Sequence, residues 1–230
     1  GNRKKYKNVQ EGMNTWRDYM VSMGFGYKLG IDLSGEKRGL IPNAQYYDEA
    51  YRGSWNALTV ISIAIGQGEV LLTPLQIANL GATIANRGYF YTPHVVKKVK
   101  GEQLEAKFRE KHYTKASRRA YEYIVAGMRR AVTGGTCRAA DRADYEVCGK
   151  TGTAQNHGQD HSIFTGFAPM NNPKVAIAVY VENGGFGADY GVPIGALMME
   201  QYIKGKLSPE SEKRATDFQR RRISYGAANR

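Results

Sequence analysis

Apolar residues recur at helical spacing early in the chain. Met13, Trp16, Met20 and Met23 predict a helix over 10–23 that packs through one face. Gly24-Phe25-Gly26 ends it, and 30–36 reads as an extended, turn-rich segment. The run 55–65 predicts a buried helix, broken by Gly66-Gln67-Gly68. The next helix has the best-specified start: Thr73 as cap, Pro74 at the first helical position and Gln76 completing a capping box. Leu75, Ala78, Ala82 and Ala85 give it a small-residue face, and Asn86-Arg87-Gly88 a stop.

Further on, 95–99 reads as a short strand turned at Gly101. A helix over 117–132 carries Tyr121, Ile124, Val125, Met128 and Val132 on one side and stops at Gly134-Gly135. The period then changes. Residues 145–154, 162–167 and 175–181 read as strands, with turns at Asn156-His157-Gly158 and Asn171-Asn172-Pro173, so antiparallel hairpins are expected. A loose loop with Gly184, Gly185 and Gly187 precedes a helix over 195–204, whose Leu197, Met198 and Tyr202 are candidates for packing on the sheet. Ser208-Pro209-Glu210 opens a last, mostly charged helical segment that reads as a solvated tail. The fold class is α+β, an antiparallel sheet flanked by helices. Residues 1–206 form the main portion and 207–230 a charged C-terminal helix or tail.

Composition narrows the partners. The chain has 230 residues, 42% hydrophobic and 23% charged, which suits one substantial globular domain. The longest apolar run, 57–65, is interrupted by Thr59 and Ser62, and a bilayer span needs about 20 residues. Gly1-Asn2-Arg3-Lys4-Lys5 leads into polar sequence without a signal peptide, so the chain is expected to begin inside a longer protein. The net charge of +12 invites a nucleic-acid reading. Yet the cations are scattered over 97–100, 107–119, 129–130 and 220–222, with no zinc-finger spacing, aromatic RNA-binding signature or helix-turn-helix. A solvated basic surface is expected, with no nucleic-acid partner; an anionic membrane or cell-wall polymer would suit the charge equally. Cys137 and Cys148 cannot make a zinc site alone, and His94, His112, His157 and His161 lack ligand spacing. No metal or cofactor is expected. The two cysteines read as free thiols, a disulfide between them being the alternative.

Candidate chemistry gathers in Val147-Cys148-Gly149-Lys150-Thr151-Gly152-Thr153-Ala154-Gln155. On an extended strand, Lys150 offers a point charge and Thr151 a hydroxyl for one substrate carboxylate. Gly152 has no side chain, so a substrate backbone can lie directly against the strand. The N–H of Thr153 then comes to where an oxyanion forms. Ala154 and Gln155 continue the same substrate-binding edge. Lys-Thr-Gly alone is short enough to occur by chance, and only its context gives it weight.

That context is an ordered set of stretches: Gly30-Ile31-Asp32-Leu33-Ser34-Gly35-Glu36, Ile65-Gly66-Gln67-Gly68-Glu69 with Thr73-Pro74-Leu75-Gln76, Met128-Arg129-Arg130-Ala131-Val132, the Lys-Thr-Gly segment, and Asp160-His161-Ser162-Ile163-Phe164 with Gly166-Phe167-Ala168-Pro169. Together they resemble the C-terminal part of the transpeptidase domain of a class B penicillin-binding protein of the elongation type, penicillin-binding protein 2, over about 20–205. The resemblance implies the penicillin-binding/serine β-lactamase-like fold and a DD-transpeptidase that cross-links peptidoglycan stem peptides ending in D-Ala-D-Ala and is acylated by β-lactams. It implies that Lys150 and Thr151 hold the terminal carboxylate and that Thr153 supplies one oxyanion donor. It further implies a periplasmic location at the bacterial inner membrane, an N-terminal transmembrane anchor absent from these residues, and a membrane glycan polymerase as partner.

The family's nucleophilic serine and general-base lysine are expected to lie outside this chain. Ser34-Gly35-Glu36-Lys37 and Ser54-Trp55-Asn56 mimic the missing motifs, but a nucleophile and its lysine must share one face of a rigid helix, and a stretch flanked by Gly35 and Gly39 is poor helix. The chain alone is therefore expected neither to form an acyl-enzyme nor to bind penicillin covalently. The family's sheet has five strands, three of which are present here, so 175–181 is expected to leave an unpaired edge, with a homo-oligomer or a disturbed local fold as the outcome. Gln67 and His161 read as structural residues. A non-catalytic basic binding module and a serine β-lactamase or β-lactam-sensor relative are the alternative readings.

Overall fold

A computed structural model describes residues 4–223. In order, the described chain forms α1 (Val9–Ser22), α2 (Ala44–Ala50), α3 (Pro74–Ala85), β1 (Tyr89–Phe90), β2 (His112–Tyr113), α4 (Arg118–Thr133), β3 (Cys148–Ala154), β4 (His161–Ala168), β5 (Val175–Val181), α5 (Gly191–Lys204) and α6 (Pro209–Arg220). These divide into two compact units. One holds the chain up to Gln76 with Gly88–Ser117; the other holds Ile77–Arg87 and the chain from Arg118 onward.

In the first unit, Asn8 caps α1 by accepting from the Glu11 amide, and Met13 buries its side chain against Tyr47, Trp55 and Ile63. Helix α2 went unforeseen because seven residues are too few to show a period; its signal is Asn43, whose side chain caps it. The buried helix expected over 55–65 is absent. Turns lead into a single 3-10 helix at Ile61–Ile65, and Leu58 and Ile65 are 75% and 73% exposed. Trp55 and Ile63 alone are buried from that run, because a mostly apolar stretch does not by itself say which of its sides is packed.

The 30–36 segment is held by its carboxylates. Glu36 accepts from the amides of Leu29, Gly30 and Ile31, and Asp32 from those of Val95 and Val96. The Val95 and Val96 amides thus serve Asp32, and 95–99 is a loop, not the expected strand. The strand pairing in this unit is β1 with β2, antiparallel. The capping box at α3 forms as expected: Thr73 and Gln76 exchange amide-to-side-chain bonds of 3.1 and 3.2 Å. The buried Gln76 amide nitrogen also donates to the carbonyls of Tyr27 and Arg38.

The second unit contains a three-stranded antiparallel sheet in the order β3-β4-β5. Lys150 stands opposite Thr165, and Thr165 opposite Ala178. Phe164, Val179, Val192, Ala196 and Met199 make the core between one face of the sheet and α5. On the other face, a Cβ at Gly81 of α3 would stand 3.2 Å from the Thr165 hydroxyl and 3.5 Å from Ala176. Helix α5 starts earlier than expected, and its inward stripe is Val192, Ala196 and Met199. Met198 and Tyr202 face solvent, because Gly195 must sit over the Phe164 ring and that contact sets the helix's rotation.

Helix α4 buries Tyr121, Val125, Met128 and Val132 but exposes Ile124. The segment read as a solvated tail contains α6, which has one docked side. Buried Glu200 of α5 receives Arg142 at 2.8 Å, the Ser211 hydroxyl of α6 at 2.5 Å and the Ser208 amide at 3.1 Å. Arg214 donates to the Ala139 carbonyl.

Candidate functional site

Strand β3 is placed from both sides. At its start, Arg129 of α4 donates to the Val147 carbonyl at 3.0 Å and pairs with Asp141, which pins the chain before Cys148. Gly149 follows, where a Cβ would fall 2.8 Å or less from atoms of the Phe164 ring, so only glycine leaves room for that ring. Among the described residues β3 pairs with β4 alone, so its other edge is unpaired. Cys148 and Gly149 are buried, Lys150 is exposed, and Thr151 to Ala154 are half-buried. Gln155 is exposed just beyond the strand.

Lys150 folds its ammonium back onto the Thr151 carbonyl at 2.6 Å and has no carboxylate partner among the described residues. The Thr151 hydroxyl lies 2.8 Å from that of Thr136, in the loop that follows α4. One hydroxyl of this pair must donate to the other, which leaves the second free to donate outward. An unpaired cation beside an outward hydroxyl is the donor set that a carboxylate requires.

Thr136 carries no functional signal of its own in the sequence. Its place between Gly134-Gly135 and Cys137 marks a helix stop, and nothing local shows that it reaches a residue fifteen positions on. Cys137 lies beneath the pair. Burial pushes its thiol above the usual range, against the opposing pulls of the Thr136 hydroxyl, the Thr151 backbone and the Lys150 charge. Cys148 is pushed up to about 11, again by burial, with Arg129 and Arg87 opposing. Both thiols are free and buried.

The loop between β5 and α5 packs against β3 and its neighbour β4, with Gly187 nearest the Ile163 carbonyl. A Cβ on Gly187 would lie 2.8 Å from the Gly152 carbonyl oxygen and 2.9 Å from Thr151 Cβ, so the loop backbone touches the middle of the Lys-Thr-Gly segment. His161 opens β4 opposite Ala154, and its Nδ1 accepts from the Asn183 amide at 3.1 Å. Ser34 lies in an exposed turn with Gly35 at φ +81°, so Ser34 and Lys37 do not share a helix face. Ser54 is exposed in another turn.

Comparison with known proteins gives a consistent set of matches. The penicillin binding protein transpeptidase domain matches residues 7–201. The peptidoglycan D,D-transpeptidase MrdA of Haemophilus influenzae is 31% identical over 92% of this chain and 36% of its own length. MrdA of Acinetobacter baumannii is 34% identical over 77% of this chain and 29% of its own length. The chain thus spans about a third of the length of these curated relatives. Among solved structures, penicillin-binding protein 2 of Pseudomonas aeruginosa, in complex with WCK 5153, matches with a TM-score of 0.76 and 33% identity, covering 87% of this chain and 45% of that one. Penicillin-binding protein 2 of Helicobacter pylori, in complex with MreC, matches with a TM-score of 0.68 and 26% identity over 88% of this chain and 40% of that one. The α+β architecture is that of these transpeptidase domains, the penicillin-binding/β-lactamase-like fold.

Proposed function

The chain belongs to the penicillin-binding protein transpeptidase family, and from that premise we propose that it is the part of a peptidoglycan DD-transpeptidase that grips the carboxyl end of a stem peptide. The observation that carries the reading is Lys150: an ammonium without a carboxylate partner among the described residues, beside the Thr136–Thr151 hydroxyl pair on an unpaired strand edge. Lys150 and Thr151 take the D-Ala-D-Ala carboxylate. Gly152, Ala154 and Gln155 meet the peptide backbone, and the Thr153 amide donates to the oxyanion. Loss of one such donor costs about 3 kcal/mol in a comparable acyl-transfer site.

The acyl transfer needs two groups that these residues do not supply in a helix: a serine and the lysine that deprotonates it. The serine oxygen bonds to the penultimate D-Ala carbonyl carbon, the C–N bond to the last D-Ala breaks, and that amine leaves with the proton. An incoming amine then displaces the serine. In the whole protein, β-lactams enter the same edge through their own carboxylate. A membrane glycan polymerase at the periplasmic side of the inner membrane is the expected partner; a similar chain from a peptidoglycan synthase complex that coordinates polymerization and crosslinking supports this, and the Helicobacter pylori relative forms a complex with MreC. Among the described residues no helix is long and apolar enough to cross a membrane.

The test is a titration of the chain with a peptide ending in D-Ala-D-Ala and with its C-terminal amide, followed through the backbone resonances of Thr151 and Thr153. Saturable shifts with the free acid, lost with the amide and in Lys150→Ala, support the reading. Equal binding of acid and amide overturns it. A fluorescent penicillin is expected to leave the 230-residue chain unlabelled, and stoichiometric labelling abolished by Ser34→Ala overturns the placement of the nucleophile elsewhere.

A further inference from the structure

The β5–α5 loop, residues 182–190, is fastened to the sheet by several bonds. The Gly185 amide donates to the Asp160 carbonyl at 2.8 Å, and the Ser162 hydroxyl to the Phe186 carbonyl at 2.9 Å. Asn156 donates through its side chain to the Asn183 side-chain oxygen at 2.9 Å. At the far end, Tyr190 meets the Phe218 ring edge-on at 6.0 Å, and Arg221 donates to the Asp189 carbonyl. Where the loop sits therefore decides how its Gly187 rests on Thr151 and Gly152.

One of these fastenings depends on a proton. The Asn183 amide donates to His161 Nδ1, which requires a lone pair there and places the ring hydrogen on Nε2. An imidazolium carries hydrogen on both nitrogens and would set donor against donor. Histidine is the side chain that gains its proton between about pH 5 and pH 8. The groups around it are few. The Tyr180 ring of β5 packs on the imidazole at 5.2 Å, and burial, with Glu182, holds the Tyr180 hydroxyl above its usual range, so it stays neutral there. Asp160 and Glu182 adjoin His161 and Asn183 along the chain, His157 lies in the β3–β4 turn, and the Asp189 carboxylate lies near Gly185.

We propose that His161 is a positioning residue for the Lys-Thr-Gly edge. Neutral, it pins Asn183 and keeps the loop seated on Thr151 and Gly152; protonated, it repels the Asn183 amide and the loop lifts. The consequence for carboxylate binding rests on the reading of Lys150 and Thr151 above, whereas the movement of the loop does not.

The experiment follows backbone amide resonances of the 230-residue chain from pH 8 to pH 5.5, together with the His161 ring signals. The expected result is that Asn183, Gly187 and Gly152 shift on one curve with the His161 imidazole. In His161→Asn, an amide oxygen can accept from Asn183 without titrating, so the loop stays in its high-pH position throughout. In His161→Phe, the ring packing on Tyr180 is kept and the acceptor lost, so the loop resonances hold their low-pH positions at every pH. Wild-type Asn183 and Gly187 resonances that ignore the titration of His161 would overturn the proposal, as would a His161→Asn variant with wild-type pH dependence. These two results decide the matter even where His161→Phe does not fold. No ligand is used, so a failure here is separate from a failure of the peptide titration at fixed pH.

Discussion

The hydroxyls of Thr136 and Thr151 lie 2.8 Å apart, so the loop leaving α4 ends on the central hydroxyl of the β3 edge. A shared hydrogen orients the Thr151 group before any ligand arrives. Thr136→Val keeps the shape and removes that orientation. A net hydrogen bond contributes about 0.5–1.5 kcal/mol, so affinity for a D-Ala-D-Ala peptide is expected to fall about 2- to 10-fold. Thr136→Ser should restore most of it, and isothermal titration of the three proteins measures both effects.

Two glycines should respond in opposite directions to alanine. At Gly149 a Cβ would fall 2.5 and 2.8 Å from atoms of the Phe164 ring, so overpacking is expected to cost about 1–3 kcal/mol. At Gly127, inside α4 and exposed, a Cβ meets nothing within 4 Å, and alanine is expected to stabilise by about 0.5–1 kcal/mol. Thermal unfolding of the two variants reads both signs.

Acid should loosen the attachment of α6. Burial pushes the Glu200 carboxyl up, but the Ser211 hydroxyl, the Ser208 amide and hydroxyl and Arg142 together outweigh it and hold it below the usual range. Asp144 is held low by Lys204, with which it is hydrogen-bonded and ion-paired. For carboxyls depressed in the folded state, the stabilisation is complete above the unfolded value, about 4.3 for Glu and 3.9 for Asp, and is lost as pH falls through the folded values. Stability should therefore decline below about pH 4. Glu200→Gln should shift the unfolding midpoint down at pH 7 and flatten that acid limb. Removing the carboxyl leaves Arg142 without its buried partner, a loss of about 3–5 kcal/mol for fully buried pairs and less here because Arg142 is partly exposed. Denaturant titrations at pH 7 and on the acid limb, at about pH 4 and about pH 3, check both.

The two cysteines should be silent in the folded chain. Both thiols are buried and pushed above their usual range by that burial, so little thiolate forms at pH 8. A thiol-specific chromophore is expected to find none reacting on the minutes scale in buffer and both in denaturant.

Strand β5 has no second neighbour among the described residues, and its Val-Ala-Ile-Ala-Val-Tyr-Val run is apolar. Self-pairing along that edge is expected to raise the mass seen by light scattering as concentration rises. A monomer at all concentrations would remove the idea.

The helices with a long period or a good cap were legible. Helix α1 follows from Met13 and Trp16, α3 from Thr73 and Gln76, and α4 from Val125, Met128 and Val132, because caps and periods are relations among residues within a few positions. Strand β5 was legible to its ends. The run 55–65 misled because an apolar stretch does not say which side it buries, and 95–99 misled because the Val95 and Val96 amides answer to Asp32, over sixty residues away.

The candidate site divides along the same line. The amino-acid sequence by itself determined that a cation, a hydroxyl, a residue without a side chain and a backbone donor follow one another on an extended strand, since side-chain identity and the alternation of a strand are local properties. Tertiary structure decided what meets them. Thr136 reaches Thr151, Gly187 rests on Gly152, and His161 holds Asn183 only because α4, β4 and the β5–α5 loop converge on β3. Each of these contacts joins residues from fifteen to some thirty-six positions apart, and the packing of the sheet, not any local preference, selects them.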